Sequence, residues 1–293
     1  MIAPHVALAL VRLCFDAAAI TAYGVSGFIA WVAPKRLGQV IAASTNFLIV
    51  AASSLAVLST FAWLPIESAM IGDSWRSAVD RSTLSTLLYD TAIGKAWLVR
   101  LALALLLTAA LPWRSASILR LALSGFLLAT LALTGHANMD EGTRGLFHIL
   151  NDALHVLAGG AWLGSLLALP GCLSRLRDPA FCTEAKTALR RFSSAGHLAV
   201  ALVIATGIVN TVLVLQRWPT DFTSTYQMLL ATKIAFVAGM TGLALMNRYI
   251  FVPRMLSQPD RAIIQIRNGT YAELALGAGV LALVAFLGIL DPA

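Results

Sequence analysis

Charged side chains are scarce in this chain. Asp, Glu, Lys and Arg make up 12% of its 293 residues, against about 25% in an ordinary soluble protein. A soluble domain so poor in charge could not cover its surface. Cysteine is scarcer still. Three residues (Cys14, Cys172, Cys182) in no zinc-binding spacing exclude a disulfide scaffold and a thiolate metal motif. P-loop, nucleophile-elbow and HExxH motifs are absent, so ATP-driven pumping has no support. Low-complexity tracts and interdomain linkers are absent too. What is abundant is apolar: 59% of the chain, with a mean hydropathy of +0.81. These residues belong in stretches of ~20, long enough to cross ~30 Å of hydrocarbon.

The expected fold class is all-α: a polytopic membrane protein with eight transmembrane helices in a single membrane domain, 1–293. Helices are required because they satisfy their own backbone groups in lipid. The spans lie roughly at 6–31, 39–64, 93–112, 118–136, 147–170, 196–216, 228–248 and 271–290. The first lacks a basic n-region and is too long for a cleavable signal peptide. The segment 65–92 mixes polar and apolar residues, and a short interfacial helix is expected there.

Acids are outnumbered by bases, 14 to 21, for a net charge of +7. Position explains the excess. The loops after spans 1, 3, 5 and 7 hold 13 of the 21 cations, from Lys35 and Arg36 to Arg261 and Arg267. The opposite loops hold eight acids, among them Glu67, Asp73, Asp80, Asp140, Glu141 and Asp221. The positive-inside rule then predicts that both termini lie outside. The basic excess reports topology, and no nucleic-acid partner is expected.

The halves 1–136 and 137–293 look alike. Asp16 precedes Gly24 by eight residues, and Asp152 precedes Gly160 by eight. Span 3 opens with Gly94-x-x-Trp97-x-x-Arg100 and span 7 with Gln227-x-x-Leu230-x-x-Lys233. A parallel four-plus-four repeat is expected, with chance likeness of apolar helices as its rival.

Ionisable groups inside spans are costly and become functional candidates. They are Arg12, Asp16, Arg100, Asp152, Lys233 and Glu273. Asp16, Arg100 and Lys233 are candidates for a translocation path. For the two cations, buried pairing that fixes helix packing is the competing reading. Arg12 and Asp16 stand four apart and share a face. Glu273, near the inner surface, reads as structural.

Three of the five His fall within 20 residues: His136, His148 and His155, with Met139, Asp140, Glu141 and Asp152 among them. His148, Asp152 and His155 are spaced i, i+4, i+7 on one stripe of a helix. Imidazole suits copper or zinc, and a thioether such as Met139 favours Cu(I). His148 and His155 are ~10 Å apart along the axis, so they read as one site completed by another helix or as two stations. His5 lies at the same outer face. Helix-end histidines bonded to backbone or water are the competing reading. His197, on the inner side, reads as structural.

Thr134-Gly135-His136-Ala137, followed by Asp152-Ala153-Leu154-His155 and Gly159-Gly160-Ala161-Trp162-Leu163-Gly164, resemble the CopD family of bacterial copper-resistance membrane proteins. Arg191-Phe192-Ser193, Thr206-Gly207-x-x-Asn210, Tyr226-x-x-Leu229-Leu230-x-x-Lys233 and Asn247-Arg248 follow in family order. The resemblance implies an eight-helix inner-membrane protein that takes copper from periplasmic CopC-type carriers and moves it inward. It makes His136 and His155 the foremost copper ligands, with His148 and Asp152 next. Gln227 departs from the family, which often has Gly there. No CopC-like domain lies at either end, so a separate carrier is expected.

Three functions compete. The first is copper uptake or transfer across the cytoplasmic membrane by a protein that is not an enzyme. The second is a haem-binding membrane electron-transfer protein, which needs two His on facing helices. The third is a non-transporting copper receptor or assembly partner, which needs the cluster but no polar path.

Overall fold

A computed structural model describes residues 2–113, 116–134, 142–221, 223–255 and 257–291. The described residues are almost wholly helical, with no strand among them. Seven described helices are long and apolar enough to cross a membrane. They are α1 (Pro4–Val32), α2 (Lys35–Ile71), α4 (Ala92–Ala109), α6 (Gly142–Arg177), α7 (Cys182–Leu215), α8 (Thr225–Arg254) and α9 (Pro259–Leu287). The expected fourth span coincides with α5 (Ser117–Leu133), apolar but shorter. Its 17 residues rise ~25 Å, less than the ~30 Å of hydrocarbon. It tightens into a 3-10 turn at Thr130–Leu133 and ends where Thr134 turns extended.

Between α2 and α4 lies a short helix, α3 (Arg81–Asp90), in the segment expected to hold one. Asp80 caps it, accepting from the Thr83 N–H at 2.9 Å and from the Ser82 and Thr83 hydroxyls. The hydrogen bonds from Ser82 and Thr83 hold its carboxyl down to about 2.

Helix α1 is the hub, packing against α2, α5, α6 and α9. Its contact with α6 is made by backbone. A Cβ on Gly24 would overlap Gly164, and one on Gly164 would overlap the Ile20 carbonyl. Ile20 and Gly24 lie against Gly160 and Gly164, so the two helices run parallel. Gly160-x-x-x-Gly164 is the small-residue spacing that lets helices approach closely in lipid, where dispersion rather than water expulsion drives packing.

Two cores flank this contact. One gathers Phe15, Ala19, Trp63, Ala104 and Leu127 from α1, α2, α4 and α5. The other gathers Leu37, Trp162, Leu173, Val203 and Met240. Ion pairs tie the basic end together: Arg36 to Glu184 at 3.6 Å and Arg177 to Asp260 at 2.7 Å. Phe47, Leu58, Phe126 and Leu198 are exposed, as lipid-facing side chains of spanning helices must be.

Candidate functional site

A cavity of about 510 Å³ lies among α1, α5, α6, α7, α8 and α9, with Trp63 of α2 also in its wall. Along α6 it is lined by His148, Asp152, His155, Gly159 and Trp162, one stripe of the helix. That stripe runs ~20 Å from near the N-terminal end of α6 into the protein. Arg12, Asp16 and Lys233 also line it. Two acidic and two basic side chains therefore share one largely apolar-walled space, where charges interact more strongly than in bulk water.

A hydrogen-bond network from α7 orients the α6 side chains. The Thr206 hydroxyl donates its only proton to the Leu202 carbonyl at 2.5 Å. At 2.9 Å from His155 Nδ1, its oxygen can then only accept. With the Thr206 proton on Leu202, His155 donates from Nδ1 and Nε2 keeps its lone pair, an arrangement that suits a ligating imidazole. Glycine at 207 leaves room for the ring, since a Cβ there would lie 3.3 Å from Cε1. Asn210 donates to Asp152 Oδ1 at 2.7 Å, and Asn151 donates to Asn210 Oδ1 at 2.6 Å. Lys233 stands near both Asp152 and His155.

The other expected residues have varied placements. His148 is buried against the cavity. His5 is exposed at the start of α1 and does not line it. His136 and Met139, with Asp140 and Glu141, lie outside the described residues. Arg12 donates to the Gly288 carbonyl, and its guanidinium lies 5.4 Å from the Trp63 ring. Asp16 is buried beside Arg12 and Arg100, and its Oδ1 has no hydrogen-bond partner.

Arg100 does not line the cavity. It is sandwiched between Phe15 at 4.6 Å and Trp63 at 4.3 Å. It donates to the Thr130 hydroxyl and carbonyl and the Thr134 hydroxyl, each at 3.2 Å. Gln227 is buried, and its Oε1 accepts from the Asp221 N–H at 2.8 Å. His197 bonds the Ser193 carbonyl and Tyr249, away from the cavity.

Among the described residues, no three His, Cys, Asp or Glu side chains gather closely enough to hold a metal ion. The cavity's two histidines both come from α6, not from facing helices.

The description "Copper resistance protein D-like, N-terminal domain" matches residues 1–146, and "Copper resistance protein D" matches residues 186–287. The copper resistance protein D of Pseudomonas syringae pv. tomato is 34% identical over 253 residues, 80% of each chain. The chain belongs to the copper resistance protein D family. Inner membrane protein YebZ of Escherichia coli is 32% identical over 272 residues, covering 92% of this chain and 93% of that protein. Copper transport protein CutJ of Bacillus subtilis is 29% identical over 262 residues, covering 84% of this chain and 44% of CutJ. No solved structure gives a significant match. Family membership and the apolar helices together support a copper-related, multi-pass inner-membrane protein.

Within this CopD-family chain, Thr206, Asn210 and Gly207 act on the site through His155 and Asp152. The sequence shows them only as a motif at i, i+1 and i+4. Their function depends on the antiparallel register of α7 against α6, which no spacing in α7 reveals.

Proposed function

We propose that this protein carries copper inward across the bacterial cytoplasmic membrane, receiving it at the periplasmic end of the cavity. The observation that carries this reading is the cavity itself. One space collects His148, Asp152, His155, Lys233 and Asp16, and it runs from the acidic end of the bundle toward its middle. The orientation follows from charge, with Lys35, Arg177 and Arg261 at the cytoplasmic end and both termini in the periplasm. The eight segments then cross in alternation, α5 included.

In this reading His155 Nε2 is a principal copper ligand, and His136 is the second that the family resemblance implies. His148, Asp152 and Met139 take part at the outer end, and His5 lies near the mouth. Asp16 and Lys233 set the charge of the path. Arg100 holds α4, α1 and α2 together and supports the path from outside. A separate CopC-type carrier delivers the ion to the acidic outer face.

The test is copper uptake by proteoliposomes containing the whole chain. Wild-type protein accumulates copper, and His155→Ala loses both bound metal and uptake. Metal-loaded wild-type protein that moves no copper would overturn transport and leave a receptor that passes copper to another periplasmic protein.

A further inference from the structure

The cavity ends on a tryptophan, and a buried carboxyl lies just beneath it. Trp162 lies with Leu163 at the inner end of the cavity wall formed by α6, and it is buried. Its indole N–H approaches the carboxyl of Glu273 on α9. Glu273 is 2% exposed and sits one turn below Gly277, the innermost cavity-lining residue of α9. The Asn247 side chain donates to Glu273 Oε1 at 2.8 Å. Both neighbours are neutral donors, and among the described residues no cation acts on this carboxyl.

Asn247 belongs to a register of its own on α8. Tyr226, Lys233, Met240 and Asn247 are seven residues apart, which keeps them near one face of the helix. The first three line the cavity, so Asn247 is the next polar position of the same stripe. It opens a π-helical turn, Asn247–Phe251, a distortion that recurs at functional sites. Its Oδ1 is buried without a hydrogen-bond partner, pressed against Gly269, where no side chain intervenes. A buried carbonyl oxygen lacking a donor is costly unless something else uses it.

We propose that Glu273 and Asn247 form a second, inner cation station on the copper path, and that the Trp162 indole is the latch between it and the outer cavity. The proposal rests on inward passage of copper through the cavity. Closed, the indole N–H occupies the carboxyl. When the indole swings aside, the Glu273 carboxylate and the free Asn247 carbonyl oxygen face an ion descending past the Met240 thioether. Hard oxygen ligands below soft ones weaken the hold on copper, which favours release toward the cytoplasm.

Two measurements test this on the full chain. In proteoliposomes, Glu273→Gln cuts copper uptake by an order of magnitude or more and leaves His155-dependent copper binding intact. Trp162→Phe, which keeps the ring but loses the N–H, speeds uptake. Uptake at the wild-type rate in Glu273→Gln would overturn the proposal. Separately, wild-type protein is treated with a carbodiimide, which modifies carboxyl groups in apolar surroundings, and its peptides are mapped by mass spectrometry. Copper protects Glu273 from modification if the station is real, and this arm needs no variant to fold. Labelling of Glu273 unchanged by copper removes the station. Protection of Glu273 in a protein that transports nothing keeps the station and removes the transport reading.

Discussion

His155 shows how one neighbour decides the chemistry of a side chain. In the proposed site its ring offers a free Nε2 because the Thr206 proton is committed to Leu202. Thr206→Val keeps the shape and removes the acceptor. The ring then loses its fixed tautomer, and copper affinity falls roughly 10–100-fold, the usual effect of deleting a partner behind a metal ligand. Metal titration of the purified variant checks this, and unchanged affinity would mean that Thr206 does not orient the ligand. Asp152 and His155 are legible in the sequence because their spacing lies within one helix. Lys233 and Arg100 carry the same signal, an isolated cation inside an apolar segment. The structure separates them: Lys233 lines the cavity, and Arg100 is held between Phe15 and Trp63. What differs is the helix each cation faces, and that is not written next to it in the chain.

At the level of elements, the α1–α6 contact decides whether the cavity exists. The glycines at 24, 160 and 164 bring two backbones together, and Asp16 and Asp152 sit two turns further out on the same pair of helices. Gly164→Ala must push α1 away, because its methyl meets the Ile20 carbonyl, which has no freedom to move aside. Overpacking of this kind costs roughly 1–3 kcal/mol. A lower melting temperature in detergent and reduced copper binding are the expected outcomes, and an unchanged melting temperature would show that the helices separate freely. The glycine spacing is readable from the sequence, but its partner is not. Helix α5 makes the complementary point. Hydropathy alone suggests a span at 118–136, whereas the helix stops at Leu133 because Thr130 and Thr134 are drawn toward Arg100.

Over the whole molecule, charge and apolarity are partitioned along the membrane normal. The basic end holds the ion pairs of Arg36 and Arg177, and the cavity opens toward the acidic end. Single cysteines in a cysteine-free background test the orientation. A membrane-impermeant maleimide labels Val79→Cys in intact spheroplasts and labels Ser257→Cys only after permeabilisation; the reverse pattern would invert the protein. Both positions lie outside the apolar helices, so labelling reports sidedness without disturbing a packed surface.

The sequence by itself determined that this chain lives in a membrane and is built of helices. Too few charges and long apolar stretches leave no other solution, because lipid offers nothing to an unpaired backbone. It also marked the family and most of the ionisable groups that matter, since a buried charge is conspicuous against an apolar background. Only the tertiary structure decided which of them share a space. Glu273 stands apart in the sequence as a lone acid near the inner end, yet it meets Trp162 and Asn247 from two other helices. Helix packing depends on which small residues let backbones approach, and that pairing spans more than a hundred residues of chain. Periodicity reports the face of each helix, and only packing reports what that face meets.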